Sequence, residues 1–251
     1  MIGASRAAST RAYQVLSTTT ITSTGVQEAT IPAGTVYVEI EMYGAGGGSG
    51  KGTFSAGGGK GGGSAQNNAG GAGGGGAYVK HRLRLTDLRA GDELAFVVGE
   101  GGAATAHPAR KAGDGGLTKL MRHERGGATI VDFQTDDILA NGGKGGRSGN
   151  GLAQSSDGDG GVAQNGNITN TNGSDGAAQQ AGGASAVNGG AGGAAGGPDG
   201  GAGGAGGTTT SPGTIAADGT APGGGAGSGA SITNTAGADG ADGRVIVKAF
   251  G

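Results

Sequence analysis

The sequence is poor in the residues that build an ordinary hydrophobic core. It has no Cys and no Trp, and only four Tyr, four Phe and five Pro among 251 residues. Without Cys there is no disulfide framework and no thiolate metal site. The low Pro content and the lack of a strict Gly-X-Y period exclude collagen. Because no run of about 18 apolar residues is present, we expect no membrane insertion.

Residues 1–13 do not resemble a secretory signal peptide. Such a signal has an apolar core of roughly 7–15 residues after a basic start, and this stretch has none. We therefore expect synthesis in the cytoplasm and, if the protein acts outside a cell, release by another route such as lysis.

Positive charge is confined to part of the chain. Of the 17 Lys and Arg, 15 lie in residues 1–147, and the other two are Arg244 and Lys248. Residues 148–243 carry none but contain seven Asp. Because nucleic acids are bound through clustered Lys and Arg, the acidic region argues against a nucleic-acid partner.

Glycine is in large excess, at 67 of 251 residues. Within residues 181–208, Gly-Gly-X triplets repeat with a period of three, which fits neither an α-helix nor a β-strand. The period fits the polyproline II type of helix, which has three residues per turn and rises about 3.1 Å per residue. Two edges of such a helix carry no side chain, so neighbouring backbones can hydrogen-bond while the third residue faces outward. The spacing predicts a bundle of polyglycine II helices, and the alternative is a flexible linker.

Strands with a period of two interrupt the glycine. We predict strands at 18–23, 26–31, 35–43, 77–85, 93–98, 117–121, 128–133 and 244–250, and a loop over 99–116. The predicted fold class is mainly β with non-α glycine-rich helices, in which a β-sandwich or jelly-roll-like frame carries a polyglycine II helix bundle. We assign residues 1–30 to an N-terminal arm or attachment segment and residues 31–251 to one glycine-rich β-framed domain. Its glycine-rich excursions run over 44–76 and 141–243.

No cofactor motif is complete. Gly50-Lys51 suggests a phosphate-binding loop, but that motif needs Gly at position 45 and Ser or Thr at position 52. The chain has Ala45 and Gly52 there, and no helix pattern follows. We expect no cofactor.

Metal and catalytic signals are equally weak. His81, His107 and His123 lie far apart in the sequence, without an i, i+4 pair. The Asp-Gly pairs at 157–160 lack the other ligands of a calcium loop, and we interpret them as turns. We expect no metal, no catalytic residues and no enzyme activity.

The order of these features has a counterpart in a known group of proteins. A hydrophobic strand runs into Tyr-Gly-Ala-Gly-Gly-Gly at 43–48, and Gly-Gly-Gly-Gly-Ala-Tyr-Val follows at 73–79. Phe-Val-Val-Gly-Glu-Gly-Gly stands at 96–102, and the last glycine-rich tract closes on Gly-Arg-Val-Ile-Val at 243–247. Over residues 30–250 this order resembles the glycine-rich domains of bacteriophage tail fibre and adhesin proteins and, more distantly, those of certain animal receptor kinases. The resemblance implies a β frame with stacked polyglycine II helices whose distal loops meet a receptor.

Three Thr-rich breaks in the glycine pattern would occupy the place of those loops. Residues 167–178 match residues 231–242 at eight of twelve positions, and a third break lies at 208–212. The alternative is a duplicated structural turn without a binding role. The candidate binding residues are Thr169, Asn170, Thr171, Thr208, Thr209, Thr210, Thr233, Asn234 and Thr235.

The resemblance therefore implies a bacteriophage virion protein, a tail-tip or tail-fibre adhesin that binds the bacterial host surface. Its expected partners are a bacterial surface receptor, protein or glycan, and other virion proteins contacted through the N-terminal segment. A homotrimer follows by analogy with fibres. The expected location is the virion, on the tail or capsid surface, after synthesis in the host cytoplasm. The alternatives are a structural virion protein (capsid decoration, head fibre or neck) and an ice-binding protein with a flat face of Thr and Ala.

Overall fold

The computed structural model describes residues 13–55, 66–84, 89–106, 111–133, 138–148, 156–178, 187–209, 215–231 and 236–251. Within these ranges it contains thirteen strands and no α-helix, so the fold is mainly β, as predicted. None of the described chain forms a helix with the length and hydropathy needed to cross a membrane.

Five strands form the first antiparallel sheet, in the order β1-β13-β3-β6-β12. They are β1 (Val15–Ile21), β3 (Tyr37–Tyr43), β6 (Tyr78–Leu83), β12 (Thr169–Thr171) and β13 (Arg244–Phe250). The C-terminal strand pairs with the whole of β3, from Arg244 opposite Tyr43 to Phe250 opposite Tyr37. Strands from the two ends of the chain are therefore neighbours in this sheet.

The second sheet has the order β11-β10-β8-β7-β2, and β9 also pairs with β8. Its strands are β2 (Gly25–Thr30), β7 (Glu93–Val98), β8 (Thr118–Arg125), β9 (Ala128–Asp132), β10 (Leu139–Ala140) and β11 (Ala163–Gln164). A separate hairpin pairs β4 (Thr53–Ser55) with β5 (Gln66–Asn68).

The two larger sheets enclose one hydrophobic core. Alternate residues of β3 contribute Val38, Ile40 and Met42, and β7 and β8 contribute Phe96 and Leu120, all fully buried. Because alternate residues of a strand face the same side, each sheet supplies an apolar face to the shared interior. This is the predicted β-sandwich frame.

Residues assigned to the N-terminal arm belong partly to this frame. β1 pairs with β13 in the first sheet, and β2 pairs with β7 in the second. The assignment of residues 1–30 to a separate arm is therefore wrong for residues 15–30. Residues 1–12 lie outside the described ranges.

Beyond the frame, the glycine-rich chain forms extended segments that hydrogen-bond to one another through the backbone. Segments 1 to 12 are, in chain order, 44–52, 69–77, 99–106, 111–117, 141–148, 156–162, 172–178, 187–197, 200–209, 215–221, 223–231 and 236–243. Segments 3 and 4 fall in the stretch predicted as a loop over 99–116, so that prediction is wrong. The stretch has only a few Gly triplets, and its partners are distant in the sequence.

Segment 1 shows the period of three in its hydrogen bonds. The N–H groups of Gly44, Gly47 and Gly50 all donate to segment 2. In the triplets that start at Gly44 and Gly47, the second residue donates to segment 4 and the third donates to segment 12, while carbonyl groups of segment 1 accept from segments 3, 5 and 11. Segment 1 therefore has six hydrogen-bonded neighbours, the arrangement of hexagonally packed helices with three residues per turn.

The other segments complete the same arrangement. Segments 2 and 11 also have six neighbours each, and they contact segment 1 and each other. The remaining nine form a closed ring around these three, bonded in the order 3, 4, 5, 6, 7, 8, 9, 10, 12 and back to 3. Three touching cylinders in hexagonal packing have nine neighbours, so the described ring is a complete shell.

Glycine is required at many positions where two backbones of the bundle meet, although the inner segments also hold buried Ala residues such as Ala45, Ala72 and Ala226. A Cβ atom added at Gly73 would lie far inside 3.0 Å from the carbonyl oxygen of Gly47, and one at Gly193 would meet that of Ser174. Outer segments keep one edge free of neighbours, where the third residue of each triplet is exposed, as at Ala191 and Ala194. The prediction that Gly-Gly-X triplets pack by two edges and expose the third is confirmed for these segments.

The chain runs back and forth between the frame and the far end of the bundle. Eight segments continue directly from a frame strand or into one, as segment 1 continues from β3 at Tyr43. Each odd-numbered segment passes to the next even-numbered one at the far end. The residues between these segments in the sequence include 56–65, 107–110, 149–155, 179–186, 210–214 and 232–235, which are outside the described ranges.

A buried polar cluster joins β8 to the turn before β7. The Asp92 side chain, 1% exposed, lies 2.9 Å from His123 Nε2 and accepts a 2.8 Å bond from Arg125 Nε. It also accepts a bond from the Arg89 N–H. The hydrogen bonds from Arg125 hold the pKa of Asp92 well below its usual range, against the opposite effect of burial.

This cluster predicts a loss of stability in acid. An unfolded Asp has a pKa of about 3.9, so the ionised Asp92 stabilises the fold above about pH 4 and loses this contribution as the pH falls toward its folded pKa. We expect the melting temperature to fall below about pH 4 and this fall to be smaller in Asp92→Asn, which is less stable at pH 7. Thermal unfolding of both proteins across the pH series measures the difference, and equal slopes would contradict the prediction. Asp114 and Glu39, whose pKa values are also lowered, act equally in both proteins.

Candidate binding surface

The outer ring presents three broad walls. Segments 5, 8 and 12 each hydrogen-bond to two inner segments, whereas the other outer segments bond to one. In hexagonal packing, a helix that touches two of the three inner helices lies in the middle of a flat side. The three flat walls are therefore segments 4-5-6, segments 7-8-9 and segments 10-12-3.

The wall of segments 4-5-6 carries both positively and negatively charged side chains. Lys111 Nζ lies 2.6 Å from Asp114 Oδ1, and Lys144 Nζ lies 3.4 Å from Asp114 Oδ2. Burial alone would raise the pKa of Asp114, but the bonds from Lys111 and from the Gly145 N–H lower it. A groove of about 410 Å³ crosses this wall near the frame, with Leu117 among its lining residues. The wall can hold polar ligands, and its charges are largely paired with each other.

The wall of segments 10-12-3 is acidic. Its exposed side chains include Asp218, Asp239, Asp242 and Glu100. Each of the three aspartates accepts a hydrogen bond from a backbone N–H of the adjacent segment, such as the 2.6 Å bond from Ala104 to Asp239. Asp239 and Asp242 therefore lie inside a segment and cap its neighbour. The Asp-Gly pairs at 157–160 were predicted to be turns, and this is wrong, because Asp157 and Asp159 lie inside the extended segment 6.

The wall of segments 7-8-9 is uncharged over most of its area. Its exposed third residues include Ala191, Ala194, Ala202 and Ala205. This is the flat surface of small side chains that the ice-binding alternative requires.

The far end of the bundle gathers Thr, Asn and Ser side chains. Thr209 donates from its N–H and its hydroxyl to Asn188 Oδ1, at 2.9 and 3.1 Å. Ser231 and Val187 join segments 11 and 8 by two hydrogen bonds at the same end. Thr208 is half-buried beside Thr209. These contacts fix the ends of the segments from which the far-end crossings begin.

Thr169, Asn170 and Thr171 are placed elsewhere. They form β12, which pairs with β6 at the edge of the first sheet, so the prediction of a loop at the bundle tip is wrong for them. All three are exposed. The Asn170 side chain exchanges two hydrogen bonds with the backbone of Gly166, at 2.9 and 2.8 Å, and so closes the preceding turn.

The predicted binding residues are therefore divided between two ends of the molecule. Thr171 lies beside Gly196 at the frame end of segment 8, and Thr209 lies beside Asn188 at its far end. Eight residues of polyglycine II helix span about 25 Å at about 3.1 Å per residue. The structure brings Thr208 and Thr209 together and separates them from β12. Thr210, Thr233, Asn234 and Thr235 lie outside the described ranges.

The two histidines that the structure describes lie in different sheets of the frame. His123 is 1% exposed, and its Nδ1 atom has no hydrogen-bond partner. His81 is half-buried, with Nδ1 3.2 Å from the Asn165 carbonyl, and burial lowers its pKa. The candidate phosphate loop forms the inner segment 1, whose glycines are enclosed by other backbones.

One group of carboxylates has the spacing of cation ligands. Oxygen atoms of Glu28, Glu93 and Glu124 lie within 4.8 Å of one another on the second sheet. Glu124 also forms an ion pair with Arg122, which reduces the negative charge there.

Sequence reasoning missed Asn188 and Ile215 at the far end. Asn188 orders Thr209, and Ile215 is 76% exposed although it is large and apolar. Asn188 could have been found, because it occupies the third position of a Gly-Gly-X register. No sequence signal marks Ile215, which stands alone between Thr and Ala.

Comparison with known proteins agrees with this architecture. No curated protein matches the chain. Residues 21–250 match the family described as Glycine-rich domain, which covers most of the chain. The match includes the frame strands from the end of β1 to β13 and all twelve segments. The chain belongs to the glycine-rich domain family.

Proposed function

We propose that the protein is a bacteriophage virion protein, a tail-tip or tail-fibre adhesin that binds the bacterial host surface with the far end of its bundle. The observation that supports this most is the back-and-forth path of the chain. In each of the six pairs of consecutive segments, the described end of one segment and the start of the next lie at the same end of the bundle, whose other end is built into the frame. Loops held on a rigid scaffold are a common place for binding residues.

The bundle suits this role because its stability hardly depends on side chains at its far end. Backbone hydrogen bonds hold each segment to its neighbours along its length. Residues in the crossings can therefore differ in chemistry without disturbing the packing of the segments. The proposed partners are a protein or glycan of the host surface and other virion proteins on the frame side, and the role is binding rather than catalysis.

Ice binding is a second candidate, favoured by the flat wall of segments 7-8-9. Rows of Ala repeat there about every 9 Å, which is three residues at about 3.1 Å each. Thermal hysteresis by the purified protein, abolished by Ala191→Lys on this wall, would support it. A structural virion protein is the remaining alternative, which predicts no binding to either cells or ice.

The adhesin proposal predicts that the purified protein binds host cells and blocks phage adsorption. Replacing Thr208, Thr209, Thr210, Thr233, Asn234 and Thr235 by Ala should reduce cell binding at least tenfold, about 1.4 kcal/mol. The reason is that these changes remove polar side chains at the far end of segment 9 and in the sequence that follows segments 9 and 11. Binding of labelled protein to cells gives the dissociation constants.

The matched control is Thr169→Ala/Thr171→Ala, which removes exposed Thr side chains at the frame end. We expect it to bind as the unaltered protein does. Loss of binding in this control alone would move the site to the edge of the first sheet. No binding by the intact, folded protein would refute the adhesin proposal and favour a structural virion protein.

A further inference from the structure

The third residue of each outer triplet is not glycine along the sides of the bundle. In segments 3 to 10 and 12 the outward register holds Ala, Ser, Thr, Asn, Asp, Glu, Lys, Arg, Val, Leu or Ile. Examples are Ala191 and Ala194 in segment 8, and Ala202 and Ala205 in segment 9. Gly197 departs from this register, but it is the last residue of segment 8, at the turn into segment 9, and has a positive φ. An outward Ala side chain makes no hydrogen bond inside the bundle, so another reason for its place there is needed.

The geometry inside the bundle supplies that reason. A Cβ atom added at Gly203 would fall on the carbonyl group of Gly192, and one at Gly206 on that of Gly189. At these positions a Cβ atom would occupy the place of a neighbouring backbone. On the open edge of an outer segment, the Cβ of Ala191 or Ala202 fills the place where one more polyglycine II helix would pack.

We infer that these outward side chains close the bundle, and that without them the wall of segments 7-8-9 would bind the same wall of a second copy. The wall offers such a partner a flat surface with backbone groups on its open edge. Chain direction is no obstacle, since segments 1 and 2 run in opposite directions and still hydrogen-bond. The outward side chains prevent the backbone of the outer segments from hydrogen-bonding to other molecules. Charged residues and prolines protect the edges of β-sheets in the same way.

Side-chain caps reinforce the closure on the other walls. Asp218 accepts a hydrogen bond from the Asp239 N–H, and Asp114 accepts one from the Gly145 N–H. At the edge between two walls, Asp175 of segment 7 likewise accepts a 2.7 Å bond from the Gly160 N–H of segment 6. A capped N–H can no longer donate to an added helix, and the exposed carboxylates repel one another between copies. The wall of segments 7-8-9 has methyl groups in the middle, so it is the wall most easily opened.

The test is the variant Ala191→Gly/Ala194→Gly/Ala202→Gly/Ala205→Gly. We expect it to form larger species as its concentration rises, measured by sedimentation velocity, where the unaltered protein keeps one size. The control replaces the same four residues by Ser, which retains each Cβ and adds polarity. It should sediment as the unaltered protein does.

Two further measurements keep the result unambiguous. Each added glycine makes the unfolded chain more flexible and so destabilises the fold. The two-residue variant Ala191→Gly/Ala194→Gly is therefore measured as well, and circular dichroism checks its fold. Association should resist high salt, because backbone pairing is not an ion-pair effect. A folded glycine variant that stays at the size of the unaltered protein, or a serine control that associates equally, overturns the inference.

Discussion

Replacing Gly73 by Ala is expected to destabilise the protein by about 3 kcal/mol or more, at the upper end of the usual cost of overpacking. Gly73 lies in the inner segment 2, where its N–H donates to the Ala226 carbonyl. A Cβ atom there would meet the carbonyl group of Gly47 far inside 3.0 Å. The obstructing atoms are backbone with six neighbouring segments around them, so no side-chain rotation makes room. The free energy of unfolding in urea measures the effect.

The matched control is Gly113→Ala in the outer segment 4. A Cβ atom at this position would come 2.8 Å from the Ala103 nitrogen, with its next contact at 3.4 Å. An outer segment can shift outward by the few tenths of an ångström required. We expect a cost clearly smaller than that of Gly73→Ala, and equal costs would show that the inner packing is not what makes glycine necessary.

Replacing Asp92 by Ala is expected to cost about 3–5 kcal/mol, the usual penalty for removing one partner of a buried ion pair. The change leaves His123 without its hydrogen bond at Nε2, while Nδ1 already lacks a partner. It also removes the acceptor of two Arg125 hydrogen bonds, at 2.8 and 2.9 Å. The turn before β7 loses its bond to the Arg89 N–H as well. Chemical denaturation at pH 7 gives the difference in unfolding free energy.

Asp92→Asn separates charge from hydrogen bonding in this cluster. Asn keeps the size of the side chain and one acceptor oxygen, so we expect a smaller loss than for Asp92→Ala. If the two variants are equally unstable, the negative charge beside Arg125 accounts for the whole contribution. If Ala costs less than about 1 kcal/mol, the cluster does not stabilise the frame as its burial implies.

The sequence predicted the parts of the fold in which local periodicity determines which side of the chain meets its neighbours. Alternation of apolar residues predicted β3 and β13, and the structure pairs them over their full length. The Gly-Gly-X triplets of 187–209 predicted polyglycine II segments with one exposed edge, which segments 8 and 9 show. In both cases the chain's own period determines which edge is buried.

Other parts depend on partners that lie far away in the sequence. β12 forms because residues 169–171 pair with the edge of β6. No local sequence pattern predicts this pairing. The number of segments follows only from the complete hydrogen-bond pattern. The same pattern is needed to identify the inner three, which are 44–52, 69–77 and 223–231. Their longer glycine runs are visible in the sequence, but a run of glycine alone does not distinguish an inner helix from a linker.

The sequence predicted which residue types the candidate site contains, but not where those residues lie in the fold. Thr-rich breaks marked places where the glycine pattern stops, and Thr208 and Thr209 do lie at an end of the bundle. The repeat of 167–178 in 231–242 suggested equivalent positions. However, the first copy enters segment 7 from the frame, whereas segment 12 begins at the far end and returns to the frame. Similar sequences therefore start at opposite ends of the molecule.

The direct continuation of strands into segments also has a mechanical consequence. Backbone hydrogen bonds of the bundle run across the segment axes, so a pull along the axis loads many of them in shear at the same time. The load on one segment passes sideways to as many as six neighbours and lengthwise through covalent bonds into the frame. Within the two large sheets, the hydrogen bonds again lie across the direction of pull. A force on the far end is therefore spread over the whole cross-section, and the molecule is stiffest along its own length.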